Sequence, residues 1–300
     1  MVEFKGVFPA IITPMTSDGE VDEAAFRAVM EYDIRAGVNG FWIAGGTGES
    51  ILLADEENNR LAEVSVDQSR GRAATIMHVG APSTARAAKL AEHAARAGVD
   101  AIACLPPFLY QVPDEDIVEH YRVVGEAADR PLFVYNLPQL TQVEITPELM
   151  AQIQENVPQL VGLKHSSLKF IDNYHFAKSG LVCFTGHGML MLPALILGAA
   201  GCVDGGLGLA PEIWVEMWNA YNDGSLSRAQ VAQDRGIEIY NVLLRYGYLG
   251  ALKALIGERL GIDCGNPRPP LPQLTFEQRA RLSDEAVNLG LTKIGARQTG

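Results

Sequence analysis

The chain has 300 residues, is 48% hydrophobic and 20% charged, and carries a formal net charge of -12. Such a length buries one large core or two modest ones, and the composition is that of a globular chain rather than a disordered one. The acidic balance leaves no basic surplus to meet phosphates, which argues against nucleic acid and against an anionic membrane surface as partners.

The chain alternates short apolar runs with amphipathic stretches. Residues 6–13 (GVFPAIIT) read as strand 1. Residues 22–36 read as a helix with Phe26, Val29, Met30 and Ile34 on one face. Strand 2 spans 40–44, followed by a glycine-rich turn and a charged helix over 55–70. Strand 3 spans 74–78, and Ser83 or Thr84 caps an alanine-rich helix that ends at Arg96. Strand 4 spans 101–105, and Pro106-Pro107 opens a loop before a helix over 114–128. Strand 5 covers 131–136, and Thr146-Pro147 starts the next helix. Strand 6 covers 160–165, with a helix predicted over 167–178. Strand 7 spans 181–185, a helix 190–198 and strand 8 201–204. From Pro211 onward the patterns are helical only: 211–221, 225–246, 249–259 and 275–289.

Eight β-then-α units in series imply a parallel sheet, and their number fits an α/β fold of the (β/α)8 TIM-barrel type. Residues 1–210 are expected to form the barrel and its catalytic core. Residues 211–300 form a C-terminal helical extension packed on it within the same domain. An open doubly wound sheet would need a phosphate fingerprint after strand 1, and Pro9 to Pro14 holds no GxGxxG. The four cysteines show no CxxC pair and read as small core residues of a reducing compartment. No export signal precedes strand 1, and no run reaches the roughly 20 apolar residues of a membrane span, so the expected place is the cytoplasm.

In such a barrel the site lies at the carboxyl ends of the strands. Strand 6 ends in Val161-Gly162-Leu163-Lys164, a lysine set into an apolar run. An ammonium there is costly unless paired or neutralised, and a lysine of lowered pKa is a good nucleophile toward carbonyls. The alternatives are a lysine that snorkels out at the strand end or pairs with a carboxylate. After strand 2, Gly45-Gly46-Thr47-Gly48-Glu49-Ser50 sets three glycines beside a hydroxyl, either an anion nest or a tight turn. Tyr135, ending strand 5, is either a proton donor and acceptor or a core aromatic. A carboxylate nest, a phenol and a buried amine together suit 2-oxo acids. The amine forms an imine with the keto carbon, the imine serves as electron sink, and the chemistry calls for no further cofactor and no metal.

The set GGTGE after strand 2, YNLP at strand 5 and GLK at strand 6 resembles the N-acetylneuraminate lyase and dihydrodipicolinate synthase superfamily of class I aldolases. The resemblance covers nearly the whole chain. It implies that Lys164 forms the Schiff base with pyruvate and that Tyr135 relays the proton. It implies that Thr47 and the backbone of Gly46 hold the carboxylate. It also implies that Tyr110, in the loop after strand 4, reaches a neighbouring subunit's site within a homotetramer built as a dimer of dimers.

Departures from the family pattern bear on the substrate. Dihydrodipicolinate synthases carry a hydroxyl residue where this chain has Gly46 and an arginine where it has Leu140, which disfavours that reaction here. Neuraminate lyases keep a serine at 46, an Asp-Glu pair at the places of Gly188 and Met189, and a serine at that of Gly205. The GGTGE form resembles 5-dehydro-4-deoxyglucarate dehydratases, which use the same imine to lose water. Substrate contacts are expected from Ser166 and Val203, from His187 in the loop after strand 7, and from Asp204. The alternatives for Asp204 are pairing with Lys164, accepting a substrate hydroxyl, or capping the next turn. His165 is expected to point away from the barrel axis by strand alternation, and His78 is a further candidate. The reading is a Schiff-base lyase cleaving to, or condensing, pyruvate and an aldehyde. A sugar-acid dehydratase and a catalytically idle 2-oxo acid binder are its competitors.

Overall fold

The structure, a computed structural model, describes residues 2–291. Strands and helices alternate in the predicted order. The first half comprises β1 (Gly6–Pro9), α1 (Glu23–Ala36), β2 (Gly40–Ile43), α2 (Asp55–Ser69), β3 (Ala74–His78), α3 (Thr84–Ala97), β4 (Ala101–Cys104) and α4 (Asp114–Ala128). The second comprises β5 (Leu132–Asn136), the one-turn α5 (Pro138–Thr141), α6 (Pro147–Asn156), β6 (Leu160–His165), α7 (Asp172–Lys178), β7 (Val182–Thr185), α8 (Met191–Ile196) and β8 (Gly201–Asp204). Then come α9 (Pro211–Asn222), α10 (Leu226–Tyr246), α11 (Tyr248–Leu260) and α12 (Phe276–Asn288). Residues 292–300 of the expected C-terminal extension lie outside the described residues.

All strand pairs are parallel, in the order β1-β8-β7-β6-β5-β4-β3-β2. The ring closes between β1 and β2 through an Ala10–Trp42 bridge, where Ile11 N–H donates to the Trp42 carbonyl at 3.1 Å. This is the (β/α)8 barrel the spacing predicts. The strands are apolar on both faces because one packs inside the barrel and the other under helices. Phe8, Trp42, Ile76, Ala103, Phe133, Tyr135, Phe184 and Val203 fill the interior. A second cluster, from Val7 to Leu291, joins the outer strand faces to the surrounding helices and to α9–α12.

Helix caps hold the element starts, two of them at predicted positions. Asp22 Oδ1 accepts from Ala25 N–H at 2.9 Å to start α1, and Gly37 ends it at φ 92°. Ser83, not Thr84, caps α3, and Thr146 caps α6. Two boundaries differ by more than two residues. The β1 ladder stops at Pro9; Ala10 N–H still donates to the Asp204 carbonyl at 3.0 Å, while Ala10 and Ile11 already pair with Trp42 of β2. The helix expected from 167 begins only at Asp172. Ser167 Oγ accepts from Lys169 N–H at 3.2 Å and the His165 ring meets the Lys169 carbonyl at 3.1 Å, so local side-chain bonds hold a turn there instead.

Candidate active site

Tyr135 and Lys164 are direct partners in the β5–β6 register, so both project into the barrel at the carboxyl end of their strands. Lys164 is 5% exposed. Its Nζ lies 4.5 Å from the Tyr135 ring centroid and 5.1 Å from that of Trp42. Among the described residues no carboxylate pairs with it. Aromatic faces are a weak substitute for a counter-ion, so this amine is buried rather than snorkelled, and the pairing alternative with Asp204 is corrected.

The Asp204 carboxylate is used elsewhere. Its Oδ2 accepts from Gly188 N–H at 2.8 Å and its Oδ1 from the Tyr248 hydroxyl at 2.8 Å. Tyr248 Oη in turn accepts from Gly206 N–H at 2.6 Å. Asp204 thus ties the loop after β7 to the end of β8 and to the start of α11. Burial, with the negative charge of Asp204 beside it, pushes the Tyr248 phenol well up.

The loop after β2 is a turn of unusual backbone. Ala44 and Glu49 have φ of 50° and 62°, and the N–H groups of Glu49 and Ser50 bond back to the carbonyls of Gly46 and Gly45. Gly48 is required here, since a Cβ would lie 2.9 Å from Ala44 Cα. The N–H groups of Gly46, Thr47 and Gly48 have no acceptor among the described residues. Such free donors in sequence make an anion-binding concavity. Gly46 is exposed, and a Cβ on it would meet nothing within 4 Å, so the missing hydroxyl leaves open space.

Glu49 anchors this loop. It is buried, its Oε1 accepts from Lys253 Nζ on α11 at 2.6 Å, and its Oε2 accepts from Arg268 N–H at 2.6 Å. Lys253 also donates to the Asn266 carbonyl at 3.1 Å. Burial holds the Lys253 ammonium below its ordinary value, against the pull of Glu49. The sequence reading missed this pair. Its signal is a lysine inside the apolar run Ala251–Ile256, the same kind of signal that marks Lys164.

The other expected residues divide. Ser166 is buried, and its hydroxyl has no partner among the described residues. Val203 is fully buried in the interior cluster with Trp42 and Tyr135. His187 turns Nε2 to the Ser167 carbonyl at 3.2 Å. His165 faces outward onto Phe176, with ring centroids 5.2 Å apart. Tyr110 is not brought to the lysine of its own chain but stands 75% exposed in the loop after β4. His78 lies inside, edge-on to Tyr135, its Nδ1 3.1 Å from the Ala44 carbonyl. Burial, aided by the Lys164 charge and opposed by that carbonyl, pushes its pKa down to about 4. Tyr240 and Tyr248 were not foreseen, because they come from the C-terminal helices.

Fold and site define a (β/α)8 barrel with a buried amine, a phenol and an anion nest at one rim. Residues 3–288 match the dihydrodipicolinate synthetase family, and the chain belongs to that family, whose members are lyases of the class I aldolase type. A DapA-like lyase of Halobacterium salinarum, itself uncharacterised, is 35% identical over 288 residues, covering 95% of this chain and 94% of the relative. A 4-hydroxy-tetrahydrodipicolinate synthase of Methanothrix thermoacetophila is 34% identical over 285 residues, covering 94% and 95%. A Ruminococcus gnavus sialic acid aldolase, solved as a catalytic lysine mutant, superposes with a TM-score of 0.92 at 27% identity, covering 96% and 97%. No helix among the described residues is long and apolar enough to cross a membrane.

Proposed function

We propose that this protein is a Schiff-base lyase that cleaves a 4-hydroxy-2-oxo acid to pyruvate and an aldehyde, or joins the two, with Lys164 as the imine-forming amine. The observation that carries this is the buried Lys164, with no counter-ion among the described residues and with Tyr135 as its register partner. The related sialic acid aldolase, whose own title speaks of a catalytic lysine, supports it. In this reading the nest of Gly46, Thr47 and Gly48 holds the substrate carboxylate. The lysine amine adds to C2, and loss of water leaves a protonated imine. The C4 hydroxyl gives up its proton toward Tyr135 as the C3–C4 bond breaks. The bonding pair passes to the imine nitrogen as an enamine, and the aldehyde departs. Protonation at C3 and hydrolysis then release pyruvate and restore the amine. Neither a metal nor an organic cofactor takes part.

We assign Tyr110 to the site of a neighbouring subunit in a homotetramer. Leu109, Tyr110 and Leu140 are 84%, 75% and 75% exposed, an apolar surface that favours association. A second reading, dehydration through the same imine, is favoured by the open space at Gly46, where water or a substrate oxygen fits. Condensation with an aldehyde that bears a carboxylate, as in lysine-pathway synthesis, is disfavoured by the apolar Leu140. Borohydride reduction in the presence of pyruvate is the test. It should leave a mass adduct on Lys164 that Lys164→Ala lacks. If neither pyruvate nor any of several 2-oxo sugar acids gives an adduct, the idle-binder reading replaces this one.

A further inference from the structure

The rim that carries the amine also holds a cavity of about 440 Å³, within the range of small-molecule sites. Its walls come from the loop after β7, the end of β8, and α10 and α11. Met189, Leu190 and Leu244 line it, together with Tyr240 and Tyr248, whose rings sit 6.1 Å apart at 34°. Asp204 is the one carboxylate among the described residues that line it, and both of its oxygens already accept hydrogen bonds, from Gly188 N–H and from Tyr248. The Tyr248 hydroxyl is engaged twice, by Asp204 and by Gly206 N–H. Tyr240 is 4% exposed, and His187, which also lines the cavity, turns Nε2 to the Ser167 carbonyl at 3.2 Å. Only Gly205, next to Asp204, stands between the cavity wall and Thr47 of the nest, and the two pack closely there. Thr47 Oγ1 and Tyr248 Oη lie 2.7 and 2.9 Å from where a Cβ on Gly205 would sit.

We infer that this cavity receives the part of the substrate beyond C4, and that this part is aromatic or otherwise apolar, with at most one polar substituent, rather than a chain of hydroxyls. The inference rests on the lyase reading above. A polyol seated here would give up its water to methionine and leucine side chains and find the Asp204 carboxylate occupied, and unpaired hydroxyls in such surroundings are penalised. A flat apolar group meets two aromatic faces and a thioether, which favour it. The His187 imidazole in the lining is left to meet a single polar atom. The aldehyde partner is therefore of the benzaldehyde or long-chain alkanal class.

The test pairs pyruvate with benzaldehyde, hexanal, glyceraldehyde and N-acetylmannosamine and compares kcat/KM. Benzaldehyde or hexanal should exceed both hydroxylated aldehydes by tenfold or more. Met189→Glu and Leu244→Ala should each shift the ratio of benzaldehyde to glyceraldehyde toward glyceraldehyde by at least fivefold. Because a ratio is read, partial loss of folded enzyme cancels. Borohydride trapping of the pyruvate imine runs alongside. Absence of that imine overturns the lyase reading and this inference with it. An imine accompanied by equal or better use of the hydroxylated aldehydes overturns this inference alone. So does an apolar preference that neither variant shifts, which would place the selectivity elsewhere.

Discussion

Tyr135 is the residue whose role is most directly testable by one atom. Its hydroxyl is proposed to carry the proton of the C4 oxygen, so Tyr135→Phe should slow turnover by about a hundredfold or more. Imine formation on Lys164 should persist, as borohydride trapping would show; an unchanged kcat would remove Tyr135 from the mechanism. His78 carries a pH prediction. Its ordinary pKa of 6.5 falls to about 4 in the folded state, chiefly through burial. The unfolded chain therefore takes up the proton first. The stabilising effect of a neutral His78 is complete above pH 6.5, declines as pH falls toward 4, and is fully lost below that. The loss is on the order of 3 kcal/mol. His120, also pushed down to about 4 by burial, adds to the same window. Urea midpoints at pH 7.5 and 4.5 should show the decline, and it should be smaller in His78→Gln.

At the scale of elements, the nest after β2 and helix α11 form one unit. The Glu49–Lys253 pair spans 204 residues of sequence with both side chains at 0% exposure. Removing one partner leaves a buried charge without compensation. Lys253→Met should thus destabilise the fold by about 3–5 kcal/mol, and adding Glu49→Gln should recover much of that. Thermal melts of the two single variants and the double variant measure the coupling. If the losses simply add, the pair is not coupled. Most of this level of organisation was readable beforehand. Apolar runs gave all eight strands, and Ser83 and Thr146 gave two helix starts, because caps and periodicity act over a few residues. The one-turn α5 was missed for want of length. The start of α7 was misplaced because Ser167 and His165 bind the backbone locally, a choice that hydrophobic spacing does not report.

For the whole molecule, the prediction concerns assembly. If Tyr110 serves the neighbouring site, a chain lacking Lys164 and a chain lacking Tyr110 complement each other. Mixed dimers of Lys164→Ala with Tyr110→Ala hold one site with both groups. Random mixing of two inactive proteins should then restore roughly a quarter of wild-type activity, since half of the dimers are mixed and each has one complete site of two. Mixtures that stay inactive, while sedimentation shows that subunits have exchanged, would place Tyr110 outside the neighbour's site.

The sequence by itself determined the barrel, the strand ends and the short list that includes Lys164, Tyr135 and Thr47. These follow from alternation, from spacing and from a lysine set in an apolar run, all of which are local patterns. Tertiary structure alone decided what each polar group meets. It gave Asp204 to Gly188 and Tyr248 instead of to Lys164, and it tied Glu49 to Lys253 and to the backbone of Arg268. It also brought Tyr240 and Tyr248 from the C-terminal helices to the rim. Hydrogen bonds and ion pairs act over about 3 Å, and which distant residues come that close depends on how the helices close over the barrel.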